Sequence, residues 1–294
     1  MTRAGVISSV LFTALLAAAP VVRGDDWVSS VRKNVEEDSS GSSSSPPPPP
    51  PGPSSNGWGF RWGSDCDDED EDAETFSELF GKLAFIALAA PYWGPHMALQ
   101  DDFSRPAEFA PFPYADDRAG RIVTQFDDRP TQSFSARLTT EVGSNLGDTE
   151  SWGGRLQLDT AFRLGLDSEF FSRTESRSGG QQTISTGDIN LIYRFAQSER
   201  VEFYSGIGMN YLVDSGGKDA LGFNFTYGAD FYPVKPIVIS SSIDLGRLGG
   251  ASLIHGRATI GVIWKRVEVY TGYDVYSVGS ADLHSWITGL RFYF

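Results

Sequence analysis

The sequence is poor in several features that would point to a familiar class of protein. Its 294 residues contain one cysteine, Cys66, so an intrachain disulfide is excluded. Lys and Arg number 24 against 38 Asp and Glu, and this acidic balance argues against nucleic acid as a partner. After the first 24 residues, no segment reaches the about 18 consecutive apolar residues of a spanning helix. A helical membrane protein is therefore excluded.

The N-terminal residues have the features of an export signal. Arg3 supplies a basic start, residues 6–19 are apolar, and small or branched residues precede a cleavage position at Gly24. We predict that residues 1–24 are a signal peptide and that the mature chain is exported.

The next segment, residues 25–74, has the composition of a disordered spacer. It contains four serines at 42–45, six prolines at 46–51 and an acidic block at 65–72. Proline runs of this kind form extended rods and bury no apolar surface. The acidic block could bind calcium, but it lacks the interleaved Asn and Gly of a calcium loop. A solvated acidic tract is the favoured interpretation.

Residues 75–131 are predicted to hold one short helix and an irregular linker. Thr75 and Glu78 match a capping box, and apolar residues follow at helical spacing over 76–90 until Pro91. Such a helix is too short to cross a bilayer, so its apolar stripe needs a surface, which could be the membrane, the rest of the chain or a partner. Residues 92–129 look irregular, with a possible short strand at 121–126.

From Gln132 onward, apolar and polar residues alternate with a period of two, which is typical of β-strands. Ten segments fit this pattern, namely 133–143, 152–165, 169–177, 188–196, 201–213, 221–232, 237–246, 257–264, 267–278 and 283–294. Their connections are predicted to alternate between tight turns and longer Gly/Ser-rich segments, as in barrels with short turns on one rim and long loops on the other.

The last strand carries the most specific signal. Trp286, Thr288, Leu290, Phe292 and Phe294 share one face, and phenylalanine is the terminal residue. This strand resembles the closing strand of small bacterial outer-membrane β-barrels, which the barrel-assembly machinery recognises. The resemblance covers residues 132–294 and implies an all-β, antiparallel transmembrane β-barrel of about ten strands.

Two features place the polar face of these strands inside the barrel. Glycines accompany the charges and tyrosines on that face, which suits a crowded lumen better than a solvated surface. Aromatic residues of the apolar face collect near the strand ends, as two girdles do at the membrane interfaces. Phe195, Phe203 and Trp264 are expected in one girdle, and Trp152 and Trp286 in the other.

The inward face would then carry a network of charged side chains. Buried charges must pair or stay hydrated. The predicted network comprises Arg137, Glu141, Arg155, Asp159, Arg163, Arg194, Glu202, Asp230, Asp244, Arg257, Glu268, Asp274 and Arg291. A ten-stranded barrel leaves little room beyond its side chains, so a plugged interior is favoured over a narrow pore.

Three functions remain open at this point. The favoured one is a non-enzymatic outer-membrane barrel with a structural or surface-interaction role, and the alternative is a narrow diffusion channel. A hydrolase at the rim is a third, because His255 and His284 fall near one rim. His284 shares the lipid-facing side with Trp286, which weakens this reading.

No cofactor or metal is predicted. Expected partners are outer-membrane lipid and the assembly machinery through the C-terminal strand, with a possible periplasmic or cell-wall partner for the N-terminal segment. Because the strand count is even, both ends of the barrel lie on one side of the membrane. Residues 25–129 are therefore predicted to be periplasmic.

Overall fold

The computed structural model describes residues 27–40, 92–99, 101, 107–124, 128–178, 180–214, 217 and 219–294. Two helices precede the sheet, α1 (Trp27–Ser40) and α2 (residues 92–99). None of the helices in this described part of the chain is long and apolar enough to span a membrane. A two-stranded ribbon follows, formed by β1 (Glu108–Phe109) and β2 (Ile122–Val123).

Ten further strands form a closed antiparallel barrel, which confirms the predicted fold class and strand number. They are β3 (Phe134–Ser144), β4 (Thr149–Thr160), β5 (Leu164–Arg177), β6 (Gly180–Gln197), β7 (Val201–Asp214), β8 (Ala220–Phe231), β9 (Ile237–Leu248), β10 (Ala251–Trp264), β11 (Val267–Val278) and β12 (Ala281–Tyr293). Each strand pairs with its neighbours in sequence, and β12 closes the ring by pairing with β3 from Trp286↔Ser144 to Tyr293↔Arg137.

The barrel is apolar outside and charged inside, the inverse of a soluble protein. On the outward face Leu191 and Ile207 are 58% and 60% exposed, while the inward Asp159 and Arg194 are 0% exposed. In water an apolar belt of this extent would be strongly unfavourable, whereas lipid solvates it. The predicted orientation of the two faces is therefore confirmed.

Inward glycines make room for the large polar side chains of the lumen. A Cβ on Gly228 would lie 2.3 Å from a ring atom of Tyr204, and one on Gly289 would lie 2.6 Å from the Tyr270 hydroxyl. Tyrosines from neighbouring strands lie across these positions. This packing explains why glycines alternate with large polar side chains on the inward face of the strands.

The predicted alternation of short turns and long loops is wrong. We call the end of the barrel with Phe134 and Phe294 the terminal rim, and the opposite end the far rim. Connections of two to five residues occur on both rims. The Gly/Ser-rich segments predicted as loops extend the strands instead, because Gln181–Gly187 pairs with Phe170–Ser176. The turn after β4 is displaced too: it lies at 161–163, and β5 begins at Leu164 rather than at 169.

Helix α1 lies in the mouth of the barrel at the far rim. Trp27, Val28 and Val31 are buried against an apolar collar from the barrel interior, formed by Ile184, Leu212, Leu248, Leu253, Tyr276, Val278 and Leu283. Asn34 donates a hydrogen bond to the carbonyl of Val278 (2.9 Å). The prediction of a disordered spacer from residue 25 is therefore wrong for these 14 residues. The segment is polar on average, but it contains a few apolar residues at helical spacing. Packing of these residues against the collar stabilises the helix.

Residues 107–124 close the opposite mouth, at the terminal rim. Tyr114 packs with Tyr232, Val238, Ile263 and Tyr293, and its hydroxyl donates to the carbonyl of Ile237 (2.5 Å). Burial raises the pKa of Tyr114 to about 12, so this hydroxyl stays protonated well above neutral pH. The two parts of the N-terminal segment therefore lie at opposite rims, and the expectation that residues 25–129 all lie on one side is wrong.

Three predictions for the linker have different outcomes. The helix predicted at 76–90 lies outside the described residues. Residues 92–99 are helical rather than irregular, and they pack on the outer wall of the barrel beside Phe195 and Phe203. The possible strand at 121–126 is present as β2, which is two residues long.

The position of α1 can be tested with a disulfide. The Asn34 Nδ2 and Ser280 Oγ atoms are 3.3 Å apart, so Asn34→Cys with Ser280→Cys, in a Cys66→Ser background, should cross-link on mild oxidation. A faster-migrating band on a non-reducing gel measures it. Asn34→Cys with Asp148→Cys, at another turn of the same rim, is the control. Equal cross-linking of both pairs, or of neither, would contradict docking in the mouth.

Candidate functional site

The lumen brings the predicted charged residues together. Of the thirteen, all except Arg155 are buried, and the Arg155 side chain is only 14% exposed. Twelve of them lie along the inside of the barrel. Arg163 is the exception: it lies in the turn after β4, with a φ of 68°, and its guanidinium forms an ion pair with Asp101 at the terminal rim (2.6 Å).

The layer nearest the terminal rim is centred on Arg121, a residue from outside the barrel. Its guanidinium contacts Glu202 at 2.6 and 3.0 Å and Asp159 at 3.0 Å. Burial by itself lowers the pKa of Arg121, but these two carboxylates more than offset it and hold the pKa well above its ordinary value. The Tyr232 hydroxyl donates to Glu202 as well (3.0 Å).

Arg194 completes this layer by a different kind of contact. Its guanidinium lies over the ring of Phe109, 4.4 Å from the centroid, and donates to the carbonyl of Thr160. The nearest carboxylate oxygen, on Asp159, is 3.9 Å away. Phe109 belongs to β1. Like Arg121, it is therefore a residue of the N-terminal segment that contacts a charged side chain of the lumen.

The middle layer consists of paired charges, one pair across the lumen between β3 and β8 and two between adjacent strands. Arg137 pairs with Asp230 (2.8 Å) and Arg155 with Asp167 (2.5 Å). Arg291 pairs with Glu268 (2.8 Å), which also accepts a hydrogen bond from the Tyr293 hydroxyl (2.6 Å). The cavity between these side chains is about 20 Å³, enough for roughly one water molecule.

Above it, Arg257 and His255 gather most of the remaining carboxylates. Arg257 contacts Glu169 (2.7 Å), Asp274 (3.1 Å) and Glu141 (3.5 Å). Glu141 also accepts a hydrogen bond from the Tyr270 hydroxyl (2.6 Å). This cluster lies directly beneath the collar that holds α1, since Tyr276 contacts both His255 and Trp27.

The geometry around His255 bears on catalysis. Its Nε2 lies 2.8 Å from Asp274, and its Nδ1 lies 3.4 Å from Asp244 and 3.7 Å from Glu169. Both ring nitrogens therefore face carboxylates, an arrangement that suits two donated hydrogen bonds. Neither nitrogen is directed at a nucleophile that it could deprotonate.

The far mouth adds two contacts from α1. Glu175 accepts hydrogen bonds from the backbone N–H groups of Trp27 (3.2 Å) and Val28 (3.1 Å), the ordinary role of a carboxylate at a helix N-terminus. Arg32 forms a two-pronged pair with Asp214, with N–O distances of 2.6 and 2.7 Å. The barrel interior thus holds α1 both at its N-terminus and at Arg32.

A charge count shows why the N-terminal segment matters. Among the described residues, the strands bury twelve inward carboxylates: Glu141, Asp159, Asp167, Glu169, Glu175, Asp188, Glu202, Asp214, Asp230, Asp244, Glu268 and Asp274. They supply one histidine, His255, with both ring nitrogens on carboxylates, and six inward arginines: Arg137, Arg155, Arg173, Arg194, Arg257 and Arg291. Arg121, Arg32 and the start of α1 provide positive charge or N–H donors to four of those carboxylates.

Several lumen residues were missed from the sequence. Asp167, Glu169, Arg173 and Glu175 lie on β5, whose start was predicted five residues too late. From Gly165 to Glu175, every second residue faces inward, and the charged ones among them follow a clear period of two. That alternation was the available signal. Arg121 had none, because nothing local marks a linker arginine as a lumen ligand.

An apolar outer belt, a closed antiparallel ring and buried inward charges define a transmembrane β-barrel, and barrels of this kind belong to bacterial outer membranes. No protein-family model and no curated protein matches the chain.

Similar solved structures are barrels as well. The outer membrane protein Ail of Yersinia pestis is 15% identical over 55% of this chain and 100% of its own, with a TM-score of 0.32. The N-terminal barrel domain of Pseudomonas aeruginosa OprF is 11% identical over 54% and 97%, with a TM-score of 0.29. The Escherichia coli outer membrane protease OmpT is 8% identical over 55% and 94%, with a TM-score of 0.32.

Arg121 gives the sharpest test of the network. Arg121→Ala leaves Glu202 and Asp159 short of a cation in a buried place, so we expect a loss of about 3–5 kcal/mol in the free energy of unfolding. Denaturant titration of the barrel in lipid vesicles measures it. Arg200→Ala, at an exposed turn of the same rim, should cost far less. If the two variants unfold at the same midpoint, Arg121 does not hold the network.

Proposed function

We propose that this protein is a closed, non-enzymatic barrel of the bacterial outer membrane with a structural or surface-interaction role, in which the barrel anchors its own N-terminal segment. The observation that carries the proposal is the closure of both mouths by residues from that segment, α1 at the far rim and residues 107–124 at the terminal rim.

The alternative, a narrow diffusion channel, requires more than one rearrangement. Both mouths would have to open, and the Arg137–Asp230 pair that crosses the lumen beside the middle cavity would have to separate. This separation leaves buried charges uncompensated. A cavity of about 20 Å³ has room for roughly one water molecule and does not hold a sugar or a peptide.

The hydrolase alternative is weakened by the positions of the described histidines near the far rim. His255 is buried beneath α1 with both ring nitrogens on carboxylates. His284 packs beside Tyr273 on the outward, lipid-facing side with Trp286. A substrate arriving from solution reaches neither.

Anchoring explains why the barrel needs the segment. The N-terminal chain supplies Arg121 and Arg32 to carboxylates that the strands leave short of cations, so it is attached at both ends of the barrel. Between these attachments lie residues 41–91, which include the prolines and the acidic block. We infer that the N-terminal segment has a periplasmic or cell-wall partner, and that the C-terminal strand presents the chain to the assembly machinery.

The side of the membrane on which α1 lies follows from the barrel ends. We infer that the terminal rim, which carries both ends of the barrel domain, faces the periplasm, as in barrels assembled from that side. On this inference α1 lies at the cell-surface end of the barrel, only residues 92–129 keep the predicted periplasmic position, and the chain between them connects the two sides of the membrane.

Conductance in a planar bilayer tests closure. Refolded full-length protein should insert without discrete current steps, because both mouths are covered and buried side chains of the middle layer leave a cavity of only about 20 Å³. A variant lacking residues 27–40 serves as comparison and should remain silent too, since the middle layer persists. Stable ohmic steps from the full-length protein would establish the channel instead.

Labelling of intact cells tests the orientation. A membrane-impermeant maleimide should modify Lys33→Cys on exposed α1 without permeabilisation, and Glu199→Cys in a terminal-rim turn only after it; both variants carry Cys66→Ser. The ratio of labelling before and after permeabilisation is the readout. The opposite pattern would place the terminal rim outside.

A further inference from the structure

Helix α2 lies against the outside of the barrel wall, near the terminal rim. The Tyr92 ring packs 4.9 Å from that of Phe195 and 6.3 Å from that of Tyr227, measured between centroids. Leu99 packs on the same patch, which also includes Val201 and Phe203. Phe195 and Phe203 face outward as the sequence predicted, but α2 buries them and keeps them from lipid.

Asp101, two residues beyond the last residue of α2, fixes the helix at the height of the rim. Asp101 pairs with Arg163 in the turn after β4, at 2.6 and 2.8 Å, and accepts a hydrogen bond from the backbone N–H of Gln197 at the end of β6 (3.0 Å). The helix therefore covers the outer wall of β6 to β8 where this wall meets the membrane interface.

The opposite face of α2 is also apolar. Trp93 and Met97, four residues apart, are 61% and 74% exposed, and none of the eight residues of the helix carries a carboxylate, ammonium or guanidinium group. A helix that is apolar on both sides needs an apolar environment on both sides. The barrel wall provides one of them.

The girdle around the terminal rim shows what provides the other. Trp264, Phe134, Phe294 and Phe162 are 50–80% exposed on the outward side of β10, β3, β12 and the β4–β5 turn. In the sector of β6 to β8, α2 packs over the outward aromatics Phe195, Phe203 and Tyr227. Trp93 and Met97, on the outer face of α2, supply the exposed apolar side chains of the girdle in this sector.

We propose that α2 is an interfacial helix whose Trp93–Met97 face inserts into the lipid leaflet at the terminal rim. The partner is bilayer lipid at the boundary between headgroups and acyl chains, the depth that tryptophan prefers. The proposal depends on the barrel lying in a membrane and is independent of whether the barrel is closed.

Site-directed fluorescence in lipid vesicles tests the position. Full-length protein with Cys66→Ser and Met97→Cys carries a small environment-sensitive fluorophore, and Ala98→Cys, an exposed and nearly isosteric position, repeats the measurement if Met97→Cys does not fold. Glu199→Cys in an exposed turn is the aqueous control, and Ile207→Cys on the outward wall is the lipid control. A heat-modifiable band on a gel confirms that each variant is folded.

For an inserted helix, iodide in the buffer should quench the label at 97 or 98 roughly threefold less than the label at 199, while a phospholipid with a nitroxide high on its acyl chain should quench it strongly. Quenching by iodide at the level of position 199, with none by the lipid nitroxide, overturns the proposal. Protection from both quenchers overturns it too, because it means that another protein segment covers this face.

Discussion

Pairing of buried charge is the constraint on which the rest of this structure depends. The strands turn twelve carboxylates inward with six arginines, and an uncompensated charge in so narrow a lumen is costly. Arg121 supplies the cation that Glu202 and Asp159 share, and Arg32 supplies the one at Asp214. Residues that precede the barrel in sequence therefore neutralise charges inside it, although they are not part of its sheet.

The same segment completes the apolar packing at both mouths. At the far rim the collar around Leu248 and Leu253 would face water without Trp27 and Val31, and at the terminal rim Tyr114 covers Tyr232. Apolar burial and charge pairing thus favour the same arrangement at each end. On the proposed function, the closed lumen contributes to stability and recognition takes place on surfaces outside it.

The sequence predicted what depends on local periodicity. Alternation gave the ten strands, the inward face and twelve of the thirteen predicted charges, since each strand residue alternates between lipid and lumen whatever its partner. Strand ends were missed where Gly and Ser extend β6 and where the β4–β5 turn falls at Phe162. Helix α1 and Arg121 were missed for another reason. Helix α1 depends on a collar and on carboxylates more than a hundred residues away. Arg121 depends on Asp159 and Glu202, which lie 38 and 81 residues away on two different strands.

The two ends of the N-terminal segment meet the membrane in different ways, and this difference follows from the strands. At the far rim, inward collar residues are apolar, so a helix with one apolar stripe enters the mouth and turns Lys33 outward. At the terminal rim, the lumen is charged and receives Arg121, while the outer wall offers Phe195 and Phe203 to an uncharged helix. Each part of the segment lies where its own side chains are solvated best.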